Sequence, residues 1–204
     1  MAPPGKIVCA GRNYREHVKE LGNQLPTTPV VFLKPPSCVI ADGAPIRLPM
    51  DVGRIDFEGE IGLVIGTRLR KATRAECVAG IRGIVAVNDV SARDLQKSDP
   101  QWWRAKGYDT FGPIGPEKPG TPDLTALEVV TRVNGIERQR GHSSEMIFPI
   151  ADLLVFISSA ITLEPGDVVA TGTPEGVGPL KPGDEVEVEV VGWSRVRNPV
   201  VADA

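Results

Sequence analysis

Short apolar runs separated by glycine- and proline-containing turns recur along the chain and predict a fold built mainly from strands. Two Pro-Gly-Asp turns precede strand-like runs, and Asn134-Gly135 predicts a tight hairpin between two others. The predicted strands cover residues 6–10, 29–34, 55–65, 84–90, 126–133, 134–138, 168–170 and 185–191. The pattern therefore predicts a β-rich α+β protein.

Helical signals occur in a few short segments, at residues 11–23, 73–81, 92–96 and 149–159. The first has a polar middle and a closing Gly22, which predicts a short, largely exposed helix with a glycine stop. Thr73 and Glu76 match a capping box. Ser91 is the expected N-cap of the third helix. The pattern thus predicts few helices, all of them short.

The proline-rich stretch 112–123 predicts a surface loop, because apolar strands resume directly after it. We therefore expect a single domain over residues 1–204. A chain of this length can bury a full core of its own.

Composition narrows the functional class. The net charge of −3 indicates neither nucleic acid nor an anionic membrane as a partner, and no apolar run has transmembrane length. Three widely spaced cysteines without a CxxC pair fit a reduced, cytoplasmic protein. The chain has two histidines, which argues against a multi-histidine zinc site and leaves carboxylates to hold any metal.

The strand-like run 55–65 carries Glu58 and Glu60 two residues apart, which predicts that both side chains share one face. Adjacent carboxylates beside a buried strand need a cation, a shared proton or open water. A hard divalent metal meets this need with oxygen ligands. The alternative is a solvated strand end. Asp89, at the end of an apolar strand, is a candidate third ligand or a simple turn residue.

His17 and Glu20 lie three residues apart on the first predicted helix and share a face. A carboxylate that orients an imidazole raises its basicity, so the pair is a candidate for activating water; a solvated charge pair is the alternative. Lys106, between apolar and glycine residues, is a candidate cation near a substrate oxygen, and Lys34 is a weaker one. The glycine-rich loop 171–179 can cradle a carboxylate but matches no nucleotide-binding motif.

Several of these segments together resemble the fumarylacetoacetate hydrolase family, most closely its short single-domain members. The matching blocks occur in the family's order and span nearly the whole chain. They are residues 11–20 (GRNY, His17, Glu20), 32–35 (FLKP), 57–61 (FEGEI), 88–96 (NDVSARDLQ), 106–113 (KGYDTFGP), 133–135 (VNG), 146–148 (MIF) and 171–178 (TGTPEGVG).

The resemblance implies a mixed β-roll or sandwich, usually assembled as a homodimer, with Mg²⁺ or Mn²⁺ as the cofactor. It implies that residues of about 11–23 form a mobile lid helix. By position, the metal ligands of the family match Glu58, Glu60 and Asp89. Its catalytic residues match His17 and Glu20, which form a pair, and Lys106, which lies near the scissile carbonyl. Its substrate contacts match Arg93, Gln96 and Thr173.

Family substrates are 2,4-dioxo acids and related 2-oxo acids. The intact His17–Glu20 pair favours hydrolysis of a C–C bond in an acylpyruvate-type substrate through an enolate. The tract 104–111 favours the alternative, an isomerase or decarboxylase acting on 2-hydroxyhepta-2,4-diene-1,7-dioate or oxaloacetate. A non-enzymatic alternative is a metal-stabilised protein that binds 2-oxo acids.

Overall fold

The computed structural model describes residues 4–203 and consists mostly of strands, with five short α-helices in that range. The strands are β1 (Ile7–Gly11), β2 (Val30–Lys34), β3 (Val39–Ile40), β4 (Ile46–Leu48), β5 (Ile55–Phe57), β6 (Gly59–Ile65), β7 (Ile81–Asn88), β8 (Ser91–Ala92), β9 (Gly112–Pro113), β10 (Lys118–Pro119), β11 (Glu128–Val133), β12 (Ile136–His142), β13 (Val168–Ala170), β14 (Gly178–Pro179), β15 (Glu185–Val190) and β16 (Ser194–Ala202). The helices are α1 (Arg15–Glu20), α2 (Arg74–Ala79), α3 (Arg93–Ser98), α4 (Trp103–Lys106) and α5 (Ile150–Ala160). The β-rich α+β prediction is confirmed.

The largest sheet has six strands in the order β10-β7-β6-β13-β1-β2, with β1 and β13 parallel and the other pairs antiparallel. Strands β1, β6 and β13 in its centre are almost completely buried, because both faces of the sheet are covered. Ile61 and Leu63 face a core shared with the second sheet and α5, whereas Val64 and Val85 face a smaller cluster on the opposite side. This sheet is the scaffold on which the polar cluster described below rests.

The second sheet has five strands in the order β12-β11-β15-β16-β4. The hairpin of β11 and β12 turns at Asn134 and Gly135, both with positive φ (53° and 76°), as the Asn-Gly pair predicted. Strands β4 and β16 were not predicted. The first has three residues. In the second, a polar residue, Asn198, takes an inward-facing position and a proline follows it, and both weaken the strand signal.

The predicted strand over 55–65 is in fact two strands, because the chain changes sheets at Glu58. Strand β5 pairs with β8 and β14 in a three-stranded sheet, whereas β6 belongs to the six-stranded one. Glu58 therefore lies at the junction of two sheets. Similarly, the predicted loop 112–123 contains β9 and β10, which pair with β3 and β7.

The helices follow the sequence signals with three exceptions, the first of which is α4, a helix that was not predicted. The capping box of Thr73 and Glu76 is present, and Gly22 adopts a positive φ of 66° after α1. The prediction that Ser91 caps α3 is wrong, because Ser91 lies in β8 and its hydroxyl donates to the carbonyl of Asp89. The prediction that α1 is largely exposed is also wrong for the face carrying His17, which is buried. No helix within residues 4–203 is long and apolar enough to cross a membrane.

Candidate active site

The three carboxylates singled out in the sequence come together in the structure. Glu58 lies between β5 and β6, Glu60 follows in β6, and Asp89 follows directly after β7. The N–H of Asp89 donates to the carbonyl of Glu58 at 2.8 Å, which joins the two chain segments. One carboxylate oxygen from each residue lies within 4.8 Å of those of the others, and all three side chains are buried. The geometry is that of a candidate metal centre.

Two buried lysines neutralise part of this cluster. The Nζ atom of Lys106, at the end of α4, lies 2.6 Å from Glu58 Oε2 and 2.6 Å from Asp89 Oδ2. Lys34, at the end of β2, lies 2.6 Å from Asp89 Oδ1. Burial by itself would lower the pKa of Lys106, but Asp89 and Glu58 outweigh it and raise that pKa above its ordinary value. Lys106 therefore remains a cation.

Arg93, the first residue of α3, is the third buried cation. Its Nε donates to Asp56 Oδ2 at 2.8 Å, and its Nη1 lies 2.6 Å from Glu58 Oε1 and 2.9 Å from Gln96 Oε1. Burial opposes ionisation of Glu58, but Arg93 and then Lys106 outweigh it and lower its pKa. The Nη2 atom of Arg93 is buried and has no hydrogen-bond partner in the described part of the chain. An unpaired buried donor of this kind is suited to an anionic ligand.

Glu60 is the carboxylate of the three that has no salt-bridge partner in the described part of the chain. Its one hydrogen bond from residues 4–203 comes from the backbone N–H of Gly172, at 2.8 Å. Burial, followed by the charges of Asp89 and Glu58, raises its pKa well above the ordinary value. An oxygen-only set of three buried carboxylates, one lacking a cationic partner, fits a divalent cation such as Mg²⁺ or Mn²⁺.

His17 and Glu20 form the pair that the helical spacing predicted. His17 Nδ1 lies 3.2 Å from Glu20 Oε2, and His17 lines the same cavity of about 290 Å³ as Glu58 and Glu60. Glu20 also accepts the backbone N–H of Gly176 at 3.0 Å, through its other oxygen. The carboxylate thus joins α1 to the glycine-rich loop while it orients the imidazole. The mobility of α1 stays a prediction.

Thr173 lines the cavity, but its hydroxyl is committed to the protein. It donates to the carbonyl of Gly59 at 2.9 Å and accepts from Gln139 Nε2 at 2.7 Å. Gln139 Oε1 in turn accepts the N–H of Gly59 at 3.0 Å. Both backbone groups of the residue between the two glutamates are therefore held by side chains. Gln96 and Arg93 line the same cavity, so all the residues expected to contact substrate are found around it.

Two residues of this site were missed in the sequence. Asp56 orients Arg93, and the alternation of Asp56 with Glu58 and Glu60 is a local signal that would have identified it. Gln139 carries no comparable signal, because a single glutamine in an alternating strand is typical of an exposed position. It reaches the site through the pairing of the sheets.

Comparison with known proteins agrees with this geometry. Residues 6–201 match the family model described as the fumarylacetoacetate (FAA) hydrolase C-terminal domain. The chain belongs to the fumarylacetoacetate hydrolase family. Its members and close relatives are enzymes, and so is this protein.

Two relatives of this family and one solved structure show the range of activities. The mitochondrial oxaloacetate tautomerase of Arabidopsis thaliana is 42% identical over 198 residues, which cover 94% of this chain and 89% of the relative. The mitochondrial oxaloacetate decarboxylase of Dictyostelium discoideum is 42% identical over 195 residues, covering 92% and 89%. The structure of 2-hydroxyhepta-2,4-diene-1,7-dioate isomerase from Mycobacterium marinum is 43% identical with a TM-score of 0.90, covering 99% of this chain and 76% of that one.

Proposed function

We propose that the protein is a metal-dependent enzyme that interconverts the keto and enol forms of a 2-oxo acid or decarboxylates it, with oxaloacetate as the first substrate to test. One observation carries this proposal: three buried carboxylates cluster together, and two of them line one cavity with the buried cations Arg93 and Lys106. The relatives named oxaloacetate tautomerase and oxaloacetate decarboxylase support the reaction type. Both reactions develop negative charge on the oxo oxygen of the substrate.

A divalent cation held by Glu58, Glu60 and Asp89 would supply Lewis-acid polarisation of the substrate's oxo group. Arg93 binds the substrate carboxylate through Nη2, the donor that has no partner within residues 4–203. Lys106 uses two of its three N–H donors on Glu58 and Asp89, and the third is available to the developing oxyanion. These residues bind and orient the substrate in a site that buries its charges.

His17 moves the proton. Glu20 holds Nδ1, which leaves Nε2 as the ring nitrogen that accepts a proton from C3 of the substrate. In tautomerisation the C3–H bond breaks and an O–H bond forms, so that no atom is gained or lost. In decarboxylation the C3–C4 bond breaks instead, CO₂ leaves, and C3 takes up a proton.

Hydrolysis of a 2,4-dioxo acid is the second candidate, because the His17–Glu20 pair is positioned to accept a proton from water. The same cations would then stabilise the oxyanion at the attacked carbonyl, and pyruvate would be released. A protein that only binds 2-oxo acids is disfavoured, since its named relatives are enzymes.

A substrate panel of oxaloacetate, acetylpyruvate, fumarylpyruvate and 2-hydroxyhepta-2,4-diene-1,7-dioate separates these reactions. With Mg²⁺, loss of enol absorbance without pyruvate indicates tautomerisation, pyruvate with CO₂ from oxaloacetate indicates decarboxylation, and pyruvate from acetylpyruvate indicates hydrolysis. EDTA and the variant Glu60→Gln should abolish the activity, and the exposed control Glu185→Gln should retain it. No turnover of any of the four would refute the proposal.

The homodimer that the family resemblance implies and the cytoplasmic location that the three cysteines indicate are part of this proposal. Light scattering during size-exclusion chromatography tests the first, with a mass of twice 21.8 kDa expected. A monomer at micromolar concentration would contradict it.

A further inference from the structure

The cavity of the candidate active site is lined by cations at both of its ends but by carboxylates at one end only. Its acidic lining residues, Glu58 and Glu60, are buried at the deep end, next to Lys106 and Arg93. Arg12 and Lys97 also line the cavity, where neighbouring side chains are exposed to solvent. Within residues 4–203 neither forms a salt bridge, whereas the deep cations each have carboxylate partners. The outer part of the cavity is therefore positively charged.

Arg12 is held in place by an aromatic side chain. Its guanidinium carbon lies 5.7 Å from the centroid of the Trp102 ring, and that ring meets Phe32 edge-on at 5.4 Å. A Cβ on Gly11 would come within 2.8 Å of Trp102, so the absence of a side chain there lets the ring lie against the chain. The contact positions the guanidinium beside the cavity without neutralising its charge.

The backbone conformation of Arg12 is a second indication that this residue has a functional role. Its φ is 57°, in the left-handed region that residues other than glycine and asparagine rarely adopt. Such conformations concentrate at functional sites, where the surrounding structure maintains them. Asn13, the next residue, supplies that support through hydrogen bonds to the carbonyl of Thr171 and to both backbone groups of Phe148.

We propose that Arg12 is a specificity-determining residue that binds the second carboxylate of a dicarboxylic 2-oxo acid. This inference rests on the proposed function, because the first carboxylate and the oxo group would occupy the deep end beside Arg93 and the carboxylate cluster. A substrate with one carboxylate would leave Arg12 without a partner. A dianion instead matches a cation at each end of the cavity, and Lys97 adds to its attraction at longer range.

The contact between Arg12 and the second carboxylate would lie away from the reacting atoms, so its loss should affect KM more than kcat. A bond made equally in the ground state and the transition state affects KM and leaves kcat nearly constant. A charge-assisted hydrogen bond lost at a half-buried position corresponds to about a tenfold change in affinity. The variant Arg12→Gln should therefore raise the KM for oxaloacetate about tenfold and change kcat by less than about twofold.

Equilibrium binding tests the same contact without turnover. Malate and 2-hydroxybutanoate have the same carbon skeleton and differ in the second carboxylate, so isothermal titration of the Mn²⁺-loaded protein with each measures its contribution. We expect wild type to prefer malate about tenfold, Arg12→Gln to lose most of that preference, and Arg12→Lys to keep part of it. Arg15→Gln, an exposed charge change three residues away, is the matched control.

The outcomes separate this inference from the proposed function. The role of Arg12 would be overturned if wild type bound both acids equally or if Arg12→Gln kept the malate preference. It would also be overturned if Arg12→Gln lost the same affinity for malate as for 2-hydroxybutanoate. An Arg12-dependent preference for malate in a protein that does not turn over oxaloacetate would support the inference and refute the proposed function. Thermal melts of Arg12→Gln check folding, since glutamine meets the same backbone constraint as arginine.

Discussion

Gln139 accepts the N–H of Gly59, the residue between Glu58 and Glu60, at 3.0 Å. Its amide nitrogen donates to Thr173 Oγ1 at 2.7 Å and to the carbonyl of Pro174 at 2.8 Å. One buried amide therefore joins the peptide between two candidate metal ligands to the glycine-rich loop. This link predicts that metal affinity depends on a residue that touches no metal.

Replacing Gln139 with leucine should weaken Mn²⁺ binding as well as stability. It leaves the buried N–H of Gly59 unpaired, which costs about 1–3 kcal/mol. Electron paramagnetic resonance measures the Kd for Mn²⁺, and urea unfolding in EDTA measures stability; the exposed Gln24→Leu is the control. A loss of stability with an unchanged Mn²⁺ Kd would limit Gln139 to a structural role.

Alanine at position 59 should disrupt the site by direct overlap. Its Cβ would lie 1.9 Å from Thr131 Oγ1, a distance at which the strand or Thr131 has to move. We expect Gly59→Ala to lower stability by about 1–3 kcal/mol, as overpacked core positions do. Thr131→Ala removes the colliding atom, and the hydroxyl it removes has no partner in the described residues.

The double variant Gly59→Ala, Thr131→Ala should recover part of that loss. A double-mutant cycle from urea denaturation gives the coupling between the two positions. Additive effects would show that the strain lies elsewhere, for instance at Val188, whose Cγ1 lies 3.2 Å from the same Cβ position.

Divalent metal should stabilise the wild-type protein through Glu60. A ligand that binds only the native state adds about 2.7 kcal/mol at one hundred times its Kd, so Mn²⁺ or Mg²⁺ should raise the Tm relative to EDTA. Glu60→Gln should abolish this rise. In EDTA, however, Glu60→Gln should melt no lower than wild type, because burial already opposes ionisation of this carboxyl group and the amide oxygen still accepts from Gly172.

The exposed Glu185→Gln is the control for this experiment. It should show the full metal-induced rise in Tm. A rise of equal size in Glu60→Gln would exclude Glu60 as a ligand.

The variant Glu20→Gln should lower kcat by about 10²-fold, the scale of a lost general-base contribution. The amide oxygen still accepts the N–H of Gly176, but the residue no longer carries the charge that orients and stabilises protonated His17. Glu16→Gln, an exposed carboxylate on the same helix, is the matched control. Steady-state kinetics on oxaloacetate with Mg²⁺ measures this effect. An unchanged kcat would exclude the His17–Glu20 pair from the mechanism.

Local patterns in the sequence identified much of the fold and the candidate site. The capping box of Thr73, the Asn134-Gly135 turn and the apolar strands depend on contacts between near neighbours, so their signals are local. Ser91 misled because a serine before a polar run is a common N-cap, whereas here its hydroxyl bonds to the carbonyl of Asp89.

By itself, the sequence determined that the protein is β-rich, that it resembles the fumarylacetoacetate hydrolase family, and that Glu58, Glu60 and Asp89 are its candidate metal ligands. The tertiary structure decided that the glutamates lie where the chain changes sheets, and which partner each charge has. Gln139 reaches Gly59 from 80 positions along the chain, and Arg12 meets Trp102, a residue of a distant segment. Such contacts depend on how strands pair and sheets pack, which local periodicity does not encode.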